Sequence, residues 1–114
     1  GTTTDRATPA PISGLFDAVE LAAGAGDSCV RRATGSVFCW GMNTSGQLGD
    51  GTTTDKLTPT PVSGLSDAIE ISAGESFYCA RRATGAVMCW GRNLSGGLGD
   101  GTMTDRSSPV AVVW

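Results

Sequence analysis

Cys29–Gly41, CVRRATGSVFCWG, returns fifty residues later as Cys79–Gly91, CARRATGAVMCWG. Each copy reads as a β-hairpin, because Val30, Val37 and Phe38 flank a polar turn and Gly35 stands where a tight loop needs positive φ. With Ala33-Thr34-Gly35 as a three-residue loop, a type I turn closed by a left-handed glycine, residues whose numbers sum to 68 face one another. That register sets Cys29 opposite Cys39 as a non-hydrogen-bonded pair, in which Cα atoms stand about 4.5 Å apart. A disulfide fits this separation, and the equal spacing pairs Cys79 with Cys89 in the same way.

The hairpin sits inside a larger repeat, and the repeat governs the fold. Residues 1–50 and 51–100 align without a gap, about two thirds of positions being identical. A third copy begins at residue 101: GTTTDRATPAPISGL, GTTTDKLTPTPVSGL and GTMTDRSSPVAVVW line up. Four short strands are predicted per period. Asp17–Ala23, DAVELAA, alternates with Val19 and Leu21 on one face, and Asp67–Ala73 puts Ile69 and Ile71 there. Ala, Glu and Leu also suit a helix, but Gly24 and Gly26 cut that alternative short. The hairpin arms Ser28–Arg32 and Ser36–Trp40 follow, then a Gly- and Asn-rich loop, then Pro59–Val62. Its prolines cannot donate to a ladder, so this segment belongs on a sheet edge.

A single four-stranded sheet of this size cannot bury both faces, so the units must stack. Stacked four-stranded antiparallel sheets are the blades of a β-propeller, and Ala18, Ala22 and Ala23 suit its crowded inner strand. The predicted fold is all-β: two four-stranded antiparallel propeller blades, completed by oligomerisation or as part of a larger propeller. Residues 1–17 form an N-terminal loop and surplus outer strand, 18–67 blade 1 and 68–114 blade 2. Ser108–Val113 completes blade 2 as its fourth strand, whereas Thr8–Ile12 is the surplus copy, free to pair with a neighbour's open edge.

Composition bounds the function. Hydrophobic residues make up 39% and charged residues 17%, which separates the chain from a disordered polyelectrolyte. A net charge of -3 argues against nucleic acid as a partner, although Arg31-Arg32 and Arg81-Arg82 make local basic spots. No apolar run approaches the roughly 20 residues of a transmembrane helix, so membrane insertion is not expected. The N-terminal GTTTDR lacks an initiator Met and the pattern of a signal peptide, which predicts a processed mature protein or a piece of a longer one. Four cysteines in two equally spaced pairs, with no His, favour an oxidising compartment and hence an extracellular or cell-surface location. A four-thiolate metal site is the alternative, against which the C-x9-C spacing is far wider than structural zinc uses.

CWGMNTSGQLGDGTTTDKLTPTPV and CWGRNLSGGLGDGTMTDRSSPV, each preceded by AAG or SAG and a hairpin ending in Trp-Gly, resemble the regulator of chromosome condensation repeat. The resemblance is to its bacterial secreted version, in which a Cys pair replaces ordinary hairpin residues. It implies a propeller with more blades than two, and a role in binding other proteins; some members of the family are exchange factors or enzyme inhibitors. Where the family usually carries a His before the second hairpin strand, this chain has Asp27 and Phe77.

Without His, the Ser-His-Asp, Cys-His and His-metal arrangements are excluded, and no enzymatic activity is expected. Glu20 and Glu70 occupy equivalent inner-strand positions; an acid/base pair needs unlike environments, which repetition denies them, so they read as structural. Gly24-Ala25-Gly26 lacks the third glycine and the helix of a dinucleotide fingerprint and reads as a turn. The Gly-Asp-Gly-Thr loops at 49–52 and 99–102 lack the Lys of a phosphate loop. Asn43, Asp50 and Asp55 offer oxygens to calcium without a calcium-loop spacing, and suit turns equally well. No cofactor or metal is expected. Asn43-Thr44-Ser45 and Asn93-Leu94-Ser95 have the form of glycosylation acceptors but read as turn residues.

Trp40 and Trp90 read as inter-blade packing residues, with a sugar-stacking platform as the alternative. Arg31, Arg32, Arg81 and Arg82 read as solvated strand ends and as a candidate interaction surface. The chain is therefore expected to be a non-catalytic structural or protein-interaction module that self-assembles, as a ring of roughly three or four chains or a larger assembly. The alternatives are a carbohydrate-binding propeller, or part of a longer secreted propeller acting as a protein-binding or inhibitor domain.

Overall fold

The two hairpins organise two sheets of the same design. The computed structural model describes residues 18–24, 26–74, 76–93 and 104–112. Strands β1 (Ala18–Ala23), β2 (Asp27–Arg32), β3 (Val37–Gly41) and β4 (Lys56–Pro61) form one antiparallel sheet in sequence order. Strands β5 (Ala68–Ala73), β6 (Phe77–Arg82), β7 (Val87–Gly91) and β8 (Arg106–Ala111) form the second in the same way. The register is the one that the loop length demands: Cys29 faces Cys39 and Val30 faces Phe38. Gly35 holds φ at 97°, and its amide closes the turn on the Arg32 carbonyl at 2.9 Å. Both disulfides are formed, Cys29–Cys39 and Cys79–Cys89, each with Cα atoms 4.1 Å apart.

Prolines take the outer edge. Pro59 and Pro61 lie on β4 and Pro109 on β8, and each of these strands pairs with one neighbour only, so the missing N–H groups break no central ladder. Strand β8 closes the second sheet as the repeat predicts. Thr8–Ile12, the surplus copy, lies outside the described residues.

The inner strands depart from simple alternation. A bulge falls between Ala18 and Glu20, and another between Ala68 and Glu70, so that Arg32 and Arg31 face Ala18 and Glu20 with Val19 as the extra residue. A bulge inserts one residue and reverses the alternation of the rest of the strand. Ile69 and Ile71 therefore do not share a face: Ile71 is buried, beside Ala68, while Ile69 is exposed. At the start of β5 the Ala68 amide donates to the Gly35 carbonyl of the first hairpin at 2.9 Å, while β1 carries the same bulge without such a contact among the described residues.

The sheets stack face to face. Cys29, Val37 and Cys39 of the first meet Ala68, Ile71, Tyr78, Ala80 and Trp90 of the second, with Leu48, Val62 and Leu65 from the connecting loops in the same cluster. Since side chains alternate across a strand, the disulfide face of one sheet packs on the Tyr/Trp face of the next. No helix among the described residues is long and apolar enough to cross a membrane.

Candidate functional site

The seam between the sheets is where the chain's unusual residues converge. Trp90 is fully buried there, its ring 6.1 Å from that of Tyr78 at an interplanar angle of 18°. Its Nε1 donates to the Gln47 carbonyl oxygen of the first sheet's loop at 3.0 Å. Burying a ring of this size is worth about 4–6 kcal/mol gross, an upper value because unfolded chains already bury part of it. Gly49 makes the fit possible: with φ at 68°, a Cβ on it would lie 2.8 Å from Trp90 Cδ1. The reading of Trp90 as a packing residue holds, and the sugar-platform alternative does not apply to a ring without exposed surface.

Towards the inner end, the Tyr78 hydroxyl accepts the Gly24 amide at 3.1 Å and faces Asp27. Asp27 is only 4% exposed, and no hydrogen bond of good geometry reaches either carboxylate oxygen. Burial pushes its pKa up from 3.8, and the nearby phenol offsets only part of this. The phenol is raised in turn, first by burial and then by Asp27. Glu20 adds a second polar tie: its Oε1 accepts Arg31 Nε at 2.8 Å and the Ile71 amide of the other sheet at 3.1 Å. Glu20 thus ties the two sheets together.

The long loop after β3 is held by one residue. Asn43, fully buried, accepts the Leu48 amide through Oδ1 at 2.9 Å, and its own amide donates to Asp55 Oδ1 at 2.8 Å. Its Nδ2 reaches Thr52 O at 2.9 Å, Thr54 O at 3.0 Å, Thr52 Oγ1 at 3.2 Å and Asp50 Oδ1 at 3.3 Å. Of the oxygens that suggested calcium, Asp50 Oδ1 accepts the Asn43 side-chain amide, Asp55 Oδ1 the Asn43 backbone amide and Asn43 Oδ1 the Leu48 amide. Burial works to raise the Asp50 pKa, but hydrogen bonds from Thr52 and Asn43 and the charge of Lys56 outweigh it, and the carboxyl is held below its usual range. Asn93 repeats the pattern through Asp105 and Thr104. Both asparagines are buried, so neither presents its amide for glycosylation. This loop crosses onto the second sheet, where the Gly51 amide donates to the Ser107 carbonyl at 2.7 Å.

The arginines singled out in the sequence lie apart from the seam's apolar centre, each with a partner. Arg31 pairs with Glu20, Arg81 with Glu70 at 3.2 Å and Arg82 with Asp67 at 2.8 Å, while the Arg32 guanidinium lies 5.6 Å from the Phe38 ring centre. Sequence reasoning missed Gln47 and the Asp27/Tyr78 contact. The only available signal was that Asp27 and Ser28 become Phe77 and Tyr78 in an otherwise similar repeat.

The regulator of chromosome condensation (RCC1) repeat matches residues 34–81, and a second description of the same repeat matches 18–47 and 68–96, more than half of the chain. The chain belongs to the RCC1 repeat family. The 34–81 match runs from one hairpin turn into the next hairpin, so this stretch of RCC1 repeat spans the seam. Human WBSCR16 is similar at TM-score 0.81 and 27% identity, over 92% of this chain and 28% of that one. Yeast RCC1 (Prp20), solved bound to Kap60, is similar at TM-score 0.77 and 25% identity, over 91% of this chain and 24% of that one. Prp20p from Saccharomyces cerevisiae shares the fold at TM-score 0.80 and 18% identity, over 92% and 27%. The chain thus spans about a quarter of the length of these structures. No curated protein sequence matches it significantly. Two four-stranded RCC1 blades are what the chain contributes to a propeller.

Proposed function

We propose that the chain is a non-catalytic protein-interaction module that works by blade stacking, and that further copies of itself supply the missing blades. One contrast carries this reading. Ile71, facing the first sheet, is 5% exposed, whereas its counterpart Leu21, which faces no blade, is 65% exposed. Likewise Trp90 is fully buried and Trp40 only partly so. Monomeric soluble proteins rarely leave contiguous apolar patches above roughly a few hundred Å² uncovered.

Residues 18–67 act as blade 1, 68–114 as blade 2, and the surplus copy within 1–17 reaches to a neighbour's outer edge. Head-to-tail contacts of this kind close into rings of roughly three or four chains. Kap60 bound to yeast RCC1 supports proteins as the class of partner. The two disulfides support a secreted, extracellular or cell-surface protein. Arg31, Arg32, Arg81 and Arg82 form a charged rim in which the exposed Arg81–Glu70 pair is open to exchange with a partner's carboxylates. Light scattering at micromolar concentration tests the reading. The expected mass is roughly three to four times the 11.6 kDa chain; a single-chain mass for a protein folded by circular dichroism overturns it. Deleting residues 1–12 is expected to weaken the assembly, and an unchanged mass would show that the surplus strand is not the connector.

A further inference from the structure

The two repeats differ most where they meet. Residues 21–30 share three identities with 71–80, while each of the other ten-residue blocks shares seven or eight with its counterpart, so divergence is concentrated at the seam. Identical seams would require no such divergence. Within the chain, position 27 of the first sheet meets position 78 of the second: a short side chain, Asp27, lies against a long one, Tyr78. At the open faces the sizes are exchanged. Phe77 projects from the disulfide face of the second sheet, and Ser28 from the Tyr/Trp-type face of the first. Neighbouring positions compensate in the same sense, Ala80 accompanying Tyr78 and Val30, already only 3% exposed within the chain, accompanying Ser28.

We infer that the open face of the second sheet takes the open face of the first sheet of a second copy, with Phe77 of one copy seated against Ser28 of the next. This rests on the self-assembly reading above and specifies its interface. The Phe77 ring lies over Gly74, where a Cβ would overlap it, as the Asp27 carboxylate lies over Gly24 at 2.9 Å from a Cβ built there. Each residue therefore occupies the same place relative to its own sheet, and the ring that fills the gap comes from the first partner in one seam and from the second in the other. A Phe77-type face set against a Tyr78-type face would bring two rings into one space. An Asp27-type face against Ser28 would leave a void, and close-packed interiors tolerate neither. Only the head-to-tail order of whole chains gives each face its match.

Two further features continue the established seam. Glu70 stands where Glu20 accepts the Ile71 amide, and its side chain is 59% exposed, placed to accept the Leu21 amide of the second copy. Leu21, in turn, takes the position in which Ile71 is covered.

The test compares the masses of the wild type, Ser28→Tyr, Phe77→Asp and the double variant at equal micromolar concentration, each checked for fold by circular dichroism. Ser28→Tyr is expected to reduce the assembly to the 11.6 kDa chain. Adding Phe77→Asp is expected to restore it, because the pair then reproduces Asp27 and Tyr78. Leu21→Lys, at a position already exposed in the chain, provides a second disruption that does not depend on core packing. An assembled wild type that Ser28→Tyr and Leu21→Lys leave intact overturns this interface while self-assembly stands. Disruption by Ser28→Tyr without rescue in the double variant overturns the Phe77/Ser28 match. A wild type that is a folded single chain overturns both.

Discussion

Replacing Asp27 by Asn keeps the shape of the side chain and removes the charge from a site that is 4% exposed, where the Tyr78 phenol is an incomplete partner for the carboxylate. A buried polar group without a partner costs about 1–3 kcal/mol, and an ionised one lies at the upper end or beyond. Asn is itself a buried polar group, so only the excess cost of the charge is removed. Asp27→Asn is therefore expected to stabilise the fold by on the order of 1 kcal/mol at pH 7, raising Tm by about 4 °C in a chain of this size. The raised pKa sets the direction of the pH dependence. The folded chain holds the Asp27 proton more tightly than the unfolded chain does, so acidification favours the folded wild type relative to the variant. The penalty is complete above the raised folded pKa, shrinks as pH falls through the window down to the ordinary value of 3.8, and is gone below it. Urea unfolding, followed by tryptophan fluorescence at fixed protein concentration with the disulfides intact, should show the variant ahead at pH 7 and the two proteins converging near pH 3. A variant no more stable than wild type at pH 7, or a gain that persists unchanged into acid, would refute the assignment of Asp27 as a buried carboxyl that its surroundings compensate only in part.

Asn43→Ala leaves the Leu48 amide and the turn carbonyls of Thr52 and Thr54 without their partner; a loss of about 1–3 kcal/mol in urea, with new protease cleavage between residues 44 and 54, is expected. The two disulfides close equally short loops, and chain entropy assigns each about 2–3 kcal/mol. Cys29–Cys39 also packs in the seam core, so the Cys29→Ala/Cys39→Ala pair is expected to lower the urea midpoint more than Cys79→Ala/Cys89→Ala; equal losses would show that the seam packing of the first disulfide adds nothing.

Hairpins, disulfides and edge strands were legible in the chain because they rest on short-range rules. A three-residue loop ending in glycine sets the pairing of Cys29 with Cys39 whatever surrounds it, and prolines exclude β4 and β8 from a sheet's centre. The fifty-residue repeat then implied two equivalent sheets that had to be stacked. Alternation misplaced Ile69, because both inner strands carry a bulge at the same place, Ala18/Glu20 and Ala68/Glu70, and no turn residue or proline marks it in the sequence.

The seam's polar contacts lay beyond reach because they join distant segments. Asp27 and Tyr78 are 51 positions apart, and nothing local distinguishes an aspartate at a strand start from the solvated residue it would ordinarily be. Local chemistry thus determined each blade on its own, through turn geometry, strand period and the short loop that joins each pair of cysteines. Which face meets which, which glutamate bridges to the next strand and which carboxylate loses its water depend on the stacking of two sheets. Only tertiary structure decided these, because burial and its electrostatic cost arise when distant segments exclude solvent from one another.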